Sequence, residues 1–131
     1  SLGGELDLAR VLWVEAKVAA ALGDLREARK RFEQVRRAFV KPELGYDYAL
    51  VSLELSTVLL RQGETARVRS LTDEMLSLFR SQNVHREALA ALQVFCAAVK
   101  RDGATVELVR RVVRYLYRAK GDPELKFEAG E

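Results

Sequence analysis

GDLREARKRFEQVRRAF, residues 23 to 39, sets a glycine before apolar side chains at Leu25, Ala28, Phe32, Val35 and Phe39. Steps of three, four, three and four put these on one stripe of an α-helix, with charged residues filling the rest of its surface. Gly23 can take the left-handed conformation that closes a preceding helix, and Asp24 with Glu27 three residues later makes a capping-box-like start for the next. The stretch therefore reads as the second half of a helical hairpin. Its arginines raise one alternative, a lone amphipathic helix that contacts nucleic acid.

The rest of the chain decides between them, because the pattern recurs. Gly23, Gly63 and Gly103 stand 40 residues apart, each where one periodic apolar segment stops and another begins. Seven residues before each lies a small residue (Ala16, Ser56, Cys96), and twelve after it a larger one (Val35, Met75, Tyr115). The same offset aligns Ala28, Val68 and Leu108, then Val11, Val51 and Ala91, then Phe39, Phe79 and Ala119. An acid recurs at Asp7, Asp47 and Glu87, where a first helical turn would set it against the positive end of the helix dipole. Several columns in one register without a gap define an internal repeat.

Each unit reads as two helices: 5–22 with 25–39, 46–62 with 65–81, and 86–102 with 105–120, which gives one domain of three units, 5–39, 46–81 and 86–120. VKPELG (40–45) and SQNV (81–84) carry Pro42, Gly45 and Asn83, turn formers that separate the units. Residues 121–131 are a tail or the start of a further helix, with Asp122 as N-cap and Pro123 at the first helical position.

Composition agrees with an all-α fold. Among 131 residues, 49% are hydrophobic and 31% charged, which suits one domain with a buried core and excludes whole-chain disorder. A net charge of +3 sets up no strong field for nucleic acid or anionic lipid, and no apolar run approaches the ~20 residues of a membrane span. The lone Cys96 cannot form an internal disulfide and points to a reducing compartment, the cytoplasm. The opening SLGGE, without an initiator methionine or a secretory pattern, is expected of a piece of a longer protein.

Paired helices with a glycine between them, a small residue in the first helix, and alanine followed by a bulky residue in the second resemble the tetratricopeptide repeat. Ala16, Gly23, Leu25, Ala28 and Phe32 carry the resemblance in the first unit. Ser56, Leu59 and Gly63 carry it in the second, where Val68 and Thr72 replace the alanine and the aromatic; Cys96 and Gly103 remain in the third. The period exceeds the family's ~34 residues, and HEAT or armadillo repeats at ~40 to 47 fit the length better. No helix here holds the internal proline that HEAT repeats often show, so the tetratricopeptide-like reading ranks first.

That resemblance implies a right-handed α-α superhelix (a solenoid) of three hairpins whose first helices line a concave groove. The residues facing it would be Arg10, Trp13 and Lys17, then Leu50, Leu53, Thr57 and Arg61, then Gln93, Ala97, Lys100 and Arg101. Apolar anchors mixed with cations suit a peptide or helix bearing apolar side chains and a carboxylate. The plain alternative is that Trp13, Leu50 and Leu53 pack between helices. Divergent helical repeats of this kind, of which REALAALQVFCAAVKRDGA (86–104) looks an example, occur in bacterial regulatory proteins beside DNA-binding or signalling domains. The expected function is thus a non-catalytic protein or peptide interaction module, the docking or sensing part of a larger bacterial regulator or scaffold.

Other readings are weaker. A homodimer would form through the ends of the solenoid, where Leu6, Val11, Leu116 and Phe127 could meet a second copy. Arg110, Arg114 and Arg118, at four-residue steps, would suit an anion or nucleic acid, but Glu107 lies nearby and no helix-turn-helix signature is present, so a solvated face is favoured. His85 alone offers no metal site, Cys96 reads as a small residue at a helix crossing, and the acidic residues read as outer-face partners of arginines. With no phosphate-cradling loop and no nucleophile motif, neither an enzyme nor a cofactor is expected.

Overall fold

The turn at Gly23 shows how the hairpins are made. Gly23 has φ +83°, and the N–H groups of Gly23 and Asp24 donate to the carbonyls of Ala20 (3.1 Å) and Ala19 (2.9 Å), which closes the first helix. Asp24 then caps the second, its side chain accepting from the Glu27 N–H at 3.2 Å. Gly63, at φ +74°, repeats the closure through Leu60 and Leu59.

The computed structural model describes residues 2–41, 44–81, 86–122 and 124–127, with side chains from residue 4. Six helices follow in order: α1 (Leu2–Ala21), α2 (Leu25–Ala38), α3 (Gly45–Arg61), α4 (Thr65–Arg80), α5 (Arg86–Lys100) and α6 (Val106–Ala119). Each end lies within three residues of its expected place. His85, Asn83, Pro42 and Pro123 fall outside the described residues.

Three details differ from expectation. The third turn is closed by Asp102 (φ 56°), not by Gly103, and Gly103 and Ala104 stand between it and the N-cap Thr105, whose side chain accepts from the Leu108 N–H at 3.1 Å. In the first two turns the N-cap follows the left-handed residue directly, so the third connection is longer by two residues. Because α1 begins at Leu2, Asp7 lies beyond its first turn, which holds Glu5. No further helix begins among the described residues of the tail. Residues 124–127 instead fold back on α6, with Phe127 edge-on to Tyr115 at 5.2 Å and the Tyr115 hydroxyl donating to the Leu125 carbonyl at 2.8 Å.

The helices pack as sequential pairs, and α6 returns to α3. The third helix is consequently buried almost all round, from Tyr48 through Leu50, Val51, Leu53 and Leu55 to Leu59. Its near-continuous apolar sequence, unlike the one-striped α2 and α6, suits a helix enclosed by neighbours. Ala16, Ser56 and Cys96 are all buried, as are Val35, Met75 and Tyr115, and Phe39, Phe79 and Ala119. Each buried Leu or Phe of this core contributes about 1.5–3 kcal/mol against the entropy of ordering the chain.

Side-chain contacts fix the directions around α3. Arg10 lies 3.9 Å from Asp47, Trp13 bonds to Glu54 and Arg61 bonds to the Ala20 carbonyl, so α1 runs parallel to α3, with near-equivalent repeat positions side by side. Lys120 meets Asp47 and Tyr117 meets Glu54, so α6 runs antiparallel to it. Between them, α1 and α6 cover the face of α3 that an open groove would expose.

Candidate site: a cleft among three helices

Asp47 and Glu54 stand seven residues apart, two turns along one face of α3, in the most enclosed helix of the fold. Both are turned inward, contrary to the expectation that the acidic residues occupy outer faces. Asp47 accepts from Lys120 Nζ at 2.6 Å. Glu54 accepts from the Trp13 indole Nε1–H at 3.0 Å and from the Tyr117 hydroxyl at 3.2 Å, with Lys17 Nζ at 3.9 Å. Burial pushes the Glu54 carboxyl above its usual range, although the Lys17 charge and the two hydrogen bonds oppose this. The Lys17 ammonium also donates to the Tyr117 hydroxyl at 2.9 Å and lies 4.7 Å from the centre of the Trp13 ring, a cation–π arrangement.

Beside this cluster opens a cleft of about 330 Å³ between α1, α3 and α6, with Phe32 of α2 also lining it. Ala20, Phe32, Val58, Val109 and Val113 give it apolar walls, while Lys17, Arg110 and Arg114 bring cations and Glu54 and Thr57 polar oxygens. The amphipathic sequence of α6 explains the arrangement. Its stripe of Val109, Val112, Leu116 and Ala119 buries, and the same turns carry Arg110 and Arg114 outward to the rim. The chemistry on offer is apolar burial next to charge.

The residues expected to face a groove are divided by this geometry. Trp13, Lys17, Thr57 and Arg61 gather around the α1 and α3 contact, Thr57 donating to the Leu53 carbonyl at 3.3 Å and Arg61 to the Ala20 carbonyl at 3.3 Å. Arg10 lies near them, its guanidinium 5.8 Å from the centre of the Phe39 ring. Leu50 and Leu53 have no exposed surface and belong to the core, so neither reaches a ligand without separation of the helices. Gln93, Ala97, Lys100 and Arg101 are exposed on or just after α5, which packs on α4 and α6, and none of the four lines the cleft. Here α6 takes the place on α3 that a groove of three first helices would give to α5.

The other candidates resolve as follows. Leu116 is fully buried and Phe127 packs on Tyr115, so neither forms an open end face; Leu6 is partly buried and Val11 is exposed. Cys96 is buried, its Sγ 3.9 Å from the Thr72 carbonyl, and burial pushes its thiol up to about 11. Arg114 and Arg118 are exposed, and together with Arg111, Tyr117, Lys126 and Phe127 they line a hollow of about 740 Å³ between α6 and residues 125–127. Among the described residues, no cluster of three or more His, Cys, Asp or Glu could hold a metal ion, and no helix is long and apolar enough to cross a membrane.

Among the described residues, fold and cleft together define an all-helical protein of six helices packed in sequence. No family model matches the chain, and neither the curated proteins nor the solved structures contain a match to it.

Proposed function

We propose that this chain is a non-catalytic module that binds a protein or peptide in the cleft between α1, α3 and α6, as the docking or sensing part of a larger bacterial regulatory or scaffold protein. The observation that carries this reading is the combination of apolar walls (Ala20, Phe32, Val58, Val109, Val113) with Lys17, Arg110 and Arg114 in one opening. A pocket so lined favours a segment that buries one apolar side chain and sets a carboxylate against the cations. On this reading the hairpins are divergent tetratricopeptide-like repeats of a right-handed superhelix. The parallel placement of α1 and α3 supports that, and α6 narrows the concave face to the cleft.

Peptide arrays of random dodecamers, probed with the chain, test the proposal. Bound peptides should share an apolar residue within four positions of Asp or Glu, and Lys17→Glu combined with Arg114→Glu should abolish binding with helicity retained. Binding that survives both that variant and Thr57→Trp, or peptides with no acidic preference, would overturn it. Single-stranded oligonucleotides serve as the contrasting probe. Affinity that falls steeply with salt and vanishes on charge reversal of Arg110, Arg114 and Arg118 would assign the surface to nucleic acid instead.

A further inference from the structure

The first helix carries an apolar face that none of the described residues covers. Leu8, Val11, Val14, Val18 and Leu22 are all more than half exposed, Leu22 to 80%. At 3.6 residues per turn they fall within about a third of the helix circumference and run for about 21 Å. Scattered surface apolar residues would need no account, but four on one side of α1, with Leu22 just past its end, lie along one stripe.

The internal repeat says what such a face is for. One period along the chain, Leu8, Val11 and Val18 become Tyr48, Val51 and Val58 of α3, and one further period makes them Ala88, Ala91 and Ala98 of α5. All six of these equivalents are buried, against 60%, 54% and 52% exposure for the α1 residues. The second helix of the preceding unit packs against each of the helices that carry these sets, α2 against α3 and α4 against α5. The junctions even share a polar contact. Arg29 of α2 donates to Gln62 Oε1 at 3.3 Å, and its equivalent Arg69 of α4 bonds to Asp102, each acceptor lying just past the end of the following unit's first helix. At α1 that place is held by Leu22.

We infer that the α1 face is the docking surface for an amphipathic helix of the α2 and α4 kind, the second helix of another hairpin of this same repeat. It lies along Leu8, Val11, Val18 and Leu22 in the register that α2 keeps on α3. The occupant differs from α2 and α4 at one point: opposite Leu22 it carries an apolar residue in place of the arginine of the other junctions. This docking is independent of the cleft, which opens on the other side of α1 through Lys17 and Ala20.

Two chimaeras test the inference, one carrying residues 6–45 and the other residues 46–85 joined directly ahead of residue 6, so that the 40-residue register is kept. At least one should slow amide exchange across Leu8–Leu22 by about tenfold or more relative to the chain itself. Val11→Asp with Val18→Asp should remove that protection from the chimaera while leaving the melting temperature of the chain within about 2 °C, because both side chains are already in water. Unchanged exchange in both chimaeras would overturn the inference. So would a chain that sediments as a dimer and is dissociated by Val11→Asp with Val18→Asp, since the occupant would then be a second copy.

Discussion

Lys120, the residue that ends α6, donates to Oδ1 of the buried Asp47 at 2.6 Å, across 73 residues of sequence. Asp47 sits in the first turn of α3, so this one bond ties the last helix to the start of the central one and fixes their antiparallel register. Arg10, at 3.9 Å from the same carboxylate, brings α1 to the same point. Three helices thus converge on one carboxylate.

Removing the cation should therefore cost more than its half-exposed side chain suggests, because among the described residues the buried carboxylate would keep only Arg10, at 3.9 Å. Lys120→Met is expected to lower unfolding free energy by about 1–2 kcal/mol, the low end of the range for a buried group that loses its partner, since Lys120 itself is partly screened by solvent. Arg110→Ala, which removes an exposed pairing with Glu107 at 3.9 Å, should cost no more than about 0.5 kcal/mol. Urea unfolding followed by circular dichroism measures both. Equal costs for the two variants would contradict the role given to Asp47.

The three glycines that organise the repeat should not respond alike. At Gly23 and Gly63, with φ +83° and +74°, alanine must adopt a left-handed conformation that costs about 1–2 kcal/mol. At Gly103 the left-handed residue is its neighbour Asp102, and an added Cβ would meet the Arg101 side chain at 3.5 Å, an ordinary contact. Gly103→Ala should then be neutral or stabilising by up to about 1 kcal/mol through the unfolded chain. Thermal melting of the three alanine variants should separate them into a destabilised pair and an unaffected third.

This contrast marks how far the sequence is legible. Periodicity and glycine spacing locate all six helices, because each apolar stripe and each turn is a local property of the chain. They do not show where α6 goes, because that depends on a connection longer by Gly103 and Ala104 and on how two helix surfaces meet. Leu50 and Leu53 carry the spacing of a groove and the burial of a core, and only α6 decides between the two. Asp47 and Glu54, two acids seven residues apart in a largely apolar helix, read from the sequence as outer-face residues, because which face of α3 is enclosed depends on α1 and α6. Tyr117 had no such signal, since its partners come from α1 and α3.

Ser52 offers a stabilising prediction. Its hydroxyl is fully buried on α3 without a hydrogen-bond partner among the described residues, and its equivalents one period away in either direction are Leu12 and Leu92. A buried hydroxyl left unpaired costs about 1–3 kcal/mol, and alanine is the better helix former. Ser52→Ala is therefore expected to raise stability by about 1 kcal/mol, or roughly 4 °C in melting temperature. A fall in melting temperature would show that the hydroxyl does find a partner.

Two carboxylates should give the stability curve opposite slopes with pH. Burial pushes the Glu33 carboxyl up, but hydrogen bonds and charge from Arg67 and Arg36, at 2.8 and 3.1 Å, outweigh it and leave the group below its usual range. A depressed folded value means that the unfolded chain binds the proton more readily. Glu33 thus adds stability above about pH 4.3, and that stability is lost as pH falls through its folded value. Glu54 stands on the other side: its folded carboxyl is raised by burial, so the folded chain binds the proton more readily. Its contribution is fully present below about pH 4.3 and declines as pH rises through the folded value. Glu54→Gln keeps the acceptor for Trp13 and Tyr117 while removing the buried charge, so unfolding midpoints measured from pH 4 to 8 should show a variant that no longer loses this contribution at the upper end. Glu33→Gln should instead be weakened at neutral pH and converge on the parent chain as the medium is acidified. Parallel profiles for Glu54→Gln and the parent would mean that the Lys17 charge and the two hydrogen bonds fully offset the burial of Glu54.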